Sequence, residues 1–350
     1  MISQLPYPPF SKGARQNSPM IRYLLQRLLG LVVTMFVVSI MIFVIMELPP
    51  GDYAERYAFR KFTGTGTNIT ESDVQNIRVQ LGLDRPAWER YLDWIGGIVF
   101  EFDFGDAFAY ETSVNAVIGD RLWLTLAILF STLLLTYLIS IPIGIYAAVR
   151  RHSAADYGLT VFSYLGLALP NFLLALVMLY FSVVWFGASV GGLFSPEYEQ
   201  APWSLGKVWD LIKHLMVPAV VLAWSATAFQ LQTVRATMLD ELNKLSVTAA
   251  RARGLPEWKL LLKYPARLAI NPVVSTIGFD INRIFSELPI VALVLSLPEL
   301  GELLIRSYID LDMYVAGAIL LVLTFTIVLM NFVSDLLLAA LDPRIRLEGG

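Results

Sequence analysis

Asp280, Arg283 and Glu287 stand at i, i+3 and i+7 inside an otherwise apolar run from Pro272 to Leu297. On a helix that spacing puts all three on one face. A charge at the centre of a bilayer costs about 2.5–3.5 kcal/mol even on the permissive insertion scale, so the face must turn toward a bundle interior or a water-filled cavity. Two chemistries fit. An Asp280–Arg283 pair can hold helices together, or the three charges can line a path for a polar solute, with Glu287 the stronger pathway group. Catalysis has little else to draw on. There is no cysteine, and His152 and His214 are the two histidines, too few for a His-rich metal site. The chain has no G-x-x-x-x-G-K-[ST] loop to cradle phosphates, no H-E-x-x-H helix and no Ser–His–Asp arrangement. No catalytic residue, metal ligand or nucleotide site is therefore expected.

The elements that must position such a face are set by composition. Of 350 residues, 56% are hydrophobic and 16% charged, and mean hydropathy is +0.62. A soluble domain carries about 25% charged residues, and a water-facing surface needs them. The net charge of −3 is too balanced for a nucleic-acid binder or an acidic tail. A polytopic membrane protein remains. Leu28–Met46 is an uncharged run of 19 residues, enough to cross a bilayer core as a helix. It is too long for a signal-peptide core and lacks an A-x-A-like exit, so it reads as a retained span. Further runs lie at Leu122–Val149, Leu159–Ala188, Leu215–Val234 and Val315–Asn331. With Pro272–Leu297 they make six. Backbone satisfaction in lipid requires helices, so the expected class is an all-α polytopic membrane protein with six transmembrane helices.

Charge sorting sets the orientation. Segments 1–27, 150–158, 235–271 and 339–350 together hold fifteen Lys and Arg against six acids, whereas the rest holds eleven against twenty-three. The bias places both termini in the cytoplasm. The expected layout is a disordered extension at 1–19, a first span at 20–46, an external loop or lid at 47–121, a five-helix core at 122–338 and a cytoplasmic tail at 339–350. The lid contains a turn-rich Thr63–Asn68 segment, then a helix opening at Thr70 or Ser72 with Val74, Ile77 and Leu81 on one face and Gly82 as its stop. Trp88, Tyr91, Trp94, Ile95, Ile98 and Phe100 form an interfacial aromatic patch. In the second span Ser140, Gly144 and Ala148 form a small-residue ridge for close packing. Gly166 and Pro170 are expected to kink the third. Gln230 and Gln232 near the end of the fourth are expected to bond between helices.

The long cytoplasmic connection, 235–271, reads as a helix–turn–helix. Ser246–Arg253 is a good short helix former stopped by Gly254, and Pro256 opens a second helix with Glu257 in its first turn. Such a segment can rest on anionic lipid or dock on a soluble partner; periodicity does not separate the two.

Ala249-Ala250-Arg251-Ala252-Arg253-Gly254-Leu255, with Pro272 eighteen residues after the glycine, resembles the coupling loop of ABC-importer permeases, most closely the first permease subunit of the dipeptide/oligopeptide family. Arg22-Tyr23, Pro50-Gly51-Asp52, Leu81-Gly82-Leu83-Asp84-Arg85-Pro86, Arg121–Leu126, Asn331–Leu336 and Leu341–Arg346 extend the likeness over roughly residues 20–346. Two positions depart from the pattern: Thr248 stands where the coupling motif carries its acid, and Glu299 where a glycine is usual. The family's glutamate upstream of that glycine falls at Ala292.

The resemblance implies a type I ABC importer permease fold in a bacterial or archaeal cytoplasmic (inner) membrane. It implies a non-enzymatic subunit forming half of the translocation pathway for a small oligomeric solute, peptide or oligosaccharide. The partners implied are a second homologous permease, two ABC ATPases that hold the ATP and Mg, and a periplasmic or extracellular solute-binding protein. Membrane lipid surrounds the chain, and no cofactor is expected in it. Thr248, Ala249, Ala250, Arg251, Arg253, Gly254, Leu255 and Glu257 are the implied ATPase-coupling residues. Arg251, Arg253 and Glu257 would set ionic register, and Ala249, Ala250 and Ala252 would permit close approach. The rival readings are an ion-gradient-driven secondary transporter, which calls for inverted repeats, and a channel subunit without an ATPase.

Overall fold

The computed structural model describes residues 18–48, 54–55, 57–58, 70–80, 82–186 and 191–341. The expectations for residues 1–17, the Thr63–Asn68 segment, Leu81 and the tail from 342 onward lie outside the described residues.

Helix α1, Ser18–Glu47, starts inside the stretch expected to be an extension. One edge packs, with Ile42, Phe43 and Met46 meeting Leu321 and Trp94. The other edge leaves Leu29, Val32 and Phe36 open, as a lipid-facing helix does. The segment 47–121 contributes α2, Glu71–Gln80, and α3, Ala87–Gly96, which runs on as a π-helical turn over Gly97–Glu101. Thr70 caps α2 by bonding Asp73 through hydroxyl and backbone, and these bonds hold the Asp73 carboxyl below its ordinary range. Gly82, at φ +67°, ends the α2 segment as expected. The aromatic patch divides: Trp94 is buried against α1, while Trp88 and Phe100 are exposed. A two-residue hairpin, β1 (Asp106–Ala107) against β2 (Thr112–Ser113), leads into the next helix, which Ser113 caps at Ala116.

That helix, α4, is Val114–Val149, and it lies along α7, Leu205–Leu242. The ridge on α4 allows the approach. A Cβ on Gly144 would sit 2.8 Å from Val234 Cβ and 2.9 Å from the Leu231 carbonyl oxygen, and Ser140 and Ala148 are buried beside it. Ile128, Leu129 and Leu133 of α4 meet Val221 and Leu222 of α7 in the central core.

The apolar run Leu159–Ala188 is not a single rod. It forms α5, Ala154–Ala168, and α6, Asn171–Phe186, bent by 101° at the break. Pro170 lacks an N–H and drives the preceding residue out of the helical region, and Leu169 is extended at φ −89°, ψ 123°. Gly166 serves packing instead: a Cβ there would lie 2.8 Å from Ala228 Cβ.

Pro272–Leu297 is also broken. Helix α10, Arg267–Ser275, gives way at Thr276 to α11, Ile277–Val294. The last two helices are α12, Leu300–Asp310, and α13, Met313–Leu341. Leu300 and Leu303 pack with Val114, Ile118, Val315 and Ile319. Among the described residues α1, α4, α7 and α13 are each long and apolar enough to cross a membrane, and the bent α5–α6 pair is a fifth candidate. Helix α11 is apolar apart from its three charges, Asn282 and Ser286.

Candidate translocation and coupling sites

The connection between α7 and α10 holds α8, Leu245–Ala252, and α9, Glu257–Leu261, followed by a π-helical turn at Leu262–Ala266. Gly254 has φ +78°, the left-handed geometry that ends α8, and its N–H bonds the Arg251 carbonyl at 3.0 Å. Val247, Ala250 and Leu260 are buried together, with Leu255, Leu261 and Tyr264 against them. This small core makes the two helices one rigid piece. It also separates the alanines: Ala249 and Ala252 are exposed, whereas Ala250 is spent inside the loop's own core.

Thr248, Arg251, Arg253, Gly254 and Glu257 are exposed as well. Arg251 grips Glu257 side-on at 2.6 and 3.2 Å, which holds the Glu257 carboxyl below the usual range. Arg253 has no acidic partner among the described residues. Leu245, at the start of α8, is 87% exposed. The outer surface of this piece is thus an apolar leucine, small side chains and one uncompensated guanidinium.

The root of the connection is fixed to the broken helix. Arg235 of α7 donates Nε to Asp156 Oδ1 at 2.6 Å and an η nitrogen to Oδ2 at 2.9 Å. Asp156 is buried in the first turn of α5 and also accepts the His152 backbone N–H at 2.9 Å. Nothing in the spacing of these residues announced the pair, since 79 residues separate them.

On α11 the three charges part company. Asp280 has no exposure, and no Asp280–Arg283 bridge forms. The Asp280 Oδ2 accepts the Tyr137 hydroxyl at 2.7 Å and the Gln230 amide, which also reaches Thr276 Oγ1 at 2.9 Å. Gln230 therefore does bond between helices, and Asp280 belongs to a tie among α4, α7 and α11. Gln232 makes no such link: its Nε2 is buried without a partner. Arg283 pairs with Glu287 instead, Nε to Oε1 at 3.3 Å, and both remain partly exposed.

Glu287 has a second partner that sequence reasoning missed. Asn171, the first residue of α6, donates its amide to Glu287 Oε2, to Ser225 Oγ at 3.1 Å and to the Leu222 carbonyl at 3.4 Å. The signal was present in Leu169-Pro170, since the residue before a proline is biased out of the helical region and marks a helix boundary.

The exposed face of α11 reads Phe279, Asn282, Ser286, Ile290 and Leu293, with the half-buried Arg283 and Glu287 at its margins. Its middle is polar and its two ends are apolar.

The chain is similar to known proteins along most of its length. Residues 140–347 match the family described as binding-protein-dependent transport system inner membrane component, and residues 20–129 match the N-terminal membrane component of the same systems. A Brucella ovis protein described as a peptide permease is 34% identical over 329 residues, covering 93% of this chain and 99% of its own. The oligopeptide transport system permease protein AppB of Bacillus subtilis is 32% identical over 330 residues, with the same coverage of each chain. The chain belongs to the binding-protein-dependent transport system inner membrane component family, the permease subunits of ABC importers.

Proposed function

We propose that this permease moves peptides, the cargo named for its Brucella and Bacillus relatives. The observation that carries the reading is the exposed face of α11. Phe279 and the pair Ile290–Leu293 bracket a polar stretch from Asn282 to Glu287, and Phe279 is backed by the Phe229 ring at 6.2 Å. From Phe279 to Ile290 a helix rises about 16 Å. A wet middle closed by apolar ends suits a path that must solvate a peptide yet seal on either side. This chain leaves the face uncovered, so a second homologous permease would supply the opposite wall.

In this reading α11 is the sixth span, and both termini are cytoplasmic, as the distribution of Lys and Arg supports. The α8–α9 piece, with Thr248, Ala249, Arg251, Arg253, Gly254, Leu255 and Glu257, would seat in one of two ATPases. The solute-binding protein would dock on the side of the lid. ATPase closure would then bias a two-state bundle by moving that piece as one body.

The test is ATP-driven uptake by the complete importer in proteoliposomes, with peptides and oligosaccharides of similar size. Peptide accumulation supports the reading; accumulation of oligosaccharide alone overturns it. Gly254→Trp should abolish substrate-stimulated ATPase activity while the complex remains assembled, and unchanged stimulation would remove the coupling role.

A further inference from the structure

We propose that Glu287, held by Asn171 and Arg283, reads the N-terminal ammonium of the peptide in transit; the inference rests on the peptide reading above. Asn171 is 4% exposed and its amide is committed to Ser225, Leu222 and Glu287. Its Oδ1 is buried with no donor. Arg283 gives one N–H to Glu287 Oε1, yet the Glu287 side chain is still 33% exposed.

Two acceptors are left open at this point, Glu287 and Asn171 Oδ1. A carboxylate with open lone pairs stands beside an amide oxygen with none of its bonds made. Groups so placed in a low-dielectric bundle are costly until a donor arrives. The complementary ligand is a small cation with several N–H bonds, and a primary ammonium carries three. Arg283, itself partly exposed, keeps donors free for a peptide carbonyl or carboxylate. Position supports the same occupant. Glu287 and Arg283 lie in the polar middle of the α11 face, and Asn171 opens α6 immediately after the 101° break. A bound ammonium would thus touch the broken helix and the pathway helix together.

A lysine side chain offers the same chemistry, so the experiment must separate the two sources. The complete importer in proteoliposomes is supplied with ATP and loaded solute-binding protein, using tripeptides that carry a photoreactive residue at position 1 or at position 3. Mass spectrometry locates the label. The expected result is labelling of the segments around Asn171 and Glu287 by the position-1 probe and not by the position-3 probe. Glu287→Gln should lower that label at least tenfold, and Glu287→Asp should retain most of it. An N-acetylated probe with lysine at position 2 labelling the same segments as strongly would overturn the N-terminal assignment. Equal labelling by both probes, or labelling elsewhere while wild-type vesicles accumulate peptide, would overturn the site alone. Failure of wild-type vesicles to accumulate any peptide would overturn the peptide reading and this inference with it.

Discussion

Arg235 and Asp156 form a side-on ion pair, 2.6 and 2.9 Å, between the C-terminal part of α7 and the first turn of α5. The pair joins the root of the α8–α9 piece to the helix that breaks at Pro170. It is therefore a charged link between the helix that leads to the surface proposed for the ATPase and the helix that breaks just before Asn171. Asp156 is buried, so removing Arg235 strands a carboxylate in the interior. Such a loss costs about 3–5 kcal/mol. Arg235→Ala and Asp156→Ala should each lower the thermal midpoint of the purified complex clearly. The double variant should fall by less than the two single losses combined, which a thermal-shift series on all four proteins would read. Additive losses would mean that the two groups do not act as a pair.

Gly144 sets how closely α4 and α7 approach. Even a methyl group there would fall within 3 Å of Val234 Cβ and of the Leu231 carbonyl oxygen, and the carbonyl cannot swing away. Gly144→Ala should cost about 1–3 kcal/mol, the usual range for overpacking, and Gly144→Leu should prevent assembly. Val234→Ala placed on top of Gly144→Ala should recover only part of the loss, because Cβ and the carbonyl stay where they are. Detergent-extracted yield and thermal midpoint together measure this. Full recovery would show that the contact with Val234 was the whole constraint.

The long apolar helices α1, α4, α7 and α13, the ridge on α4, the Gly254 stop and the two-helix form of the 235–271 connection are legible in the sequence. Each rests on local physics: apolar length, 3.6-residue periodicity and turn chemistry. The charged face of α11 was legible as a spacing but not as a set of partners. Spacing puts Asp280, Arg283 and Glu287 on one side; packing then buries Asp280 under Tyr137 and Gln230 and leaves the other two open. Those partners lie on α4 and α7, and no local rule brings them there. The break between α5 and α6 was foreseen as a kink at Pro170. Its 101° size depends on what Asn171 can bond once it turns inward. Ala250 shows the same limit. As one alanine in a row it read like its neighbours, and only the partner helix α9 makes it core.

Arg251 and Arg253 are two residues apart and should behave differently. Arg251 is already engaged with Glu257, and both are about half exposed, so that bond organises the loop more than it stabilises the protein. Arg253 has no acidic partner among the described residues. Arg253→Glu should therefore leave the thermal midpoint unchanged and sharply reduce substrate-stimulated ATPase turnover. Exchanging the charges as Arg251→Glu with Glu257→Arg should preserve more turnover than either single change. The Glu257 carboxyl is held below its ordinary value, so the bond is complete above the usual carboxylate range and is lost as pH falls through the lowered value. Any contribution it makes to coupling should weaken at acidic pH and stay flat from neutral upward. Stimulated turnover measured across pH in wild type and Glu257→Gln would read this; identical profiles would show that the bond is not used.

Glu299 is the residue where the related coupling subunits were expected to carry glycine, and the backbone gives no reason for a glycine there: φ is −110° and ψ is 177°. Its side chain instead caps α12. Oε1 accepts the Glu302 backbone N–H at 2.8 Å, and Oε2 accepts the Thr125 hydroxyl at 3.3 Å. Thr125 in turn accepts the Leu300 N–H at 3.1 Å, so the cap also fastens α12 to α4. The carboxyl has no exposure, and burial pushes its pKa up, more strongly than its hydrogen bonds pull it down. The folded state therefore holds this proton to higher pH than the unfolded chain does. Its contribution to stability is fully present below the ordinary glutamate value and declines as pH rises through the raised one. Glu299→Gln keeps an oxygen for the Glu302 N–H and cannot ionise, so it should flatten that decline and leave the variant the more stable protein at neutral pH. Glu299→Ala removes the cap and should cost about 1–2 kcal/mol at acidic pH, and less as pH rises, because alanine cannot ionise either. Thermal midpoints of the three proteins between acidic and neutral pH decide the matter. A wild-type midpoint that rises with pH while the glutamine variant stays level would reverse the sign and refute the assignment of Glu299 as a strained buried acid.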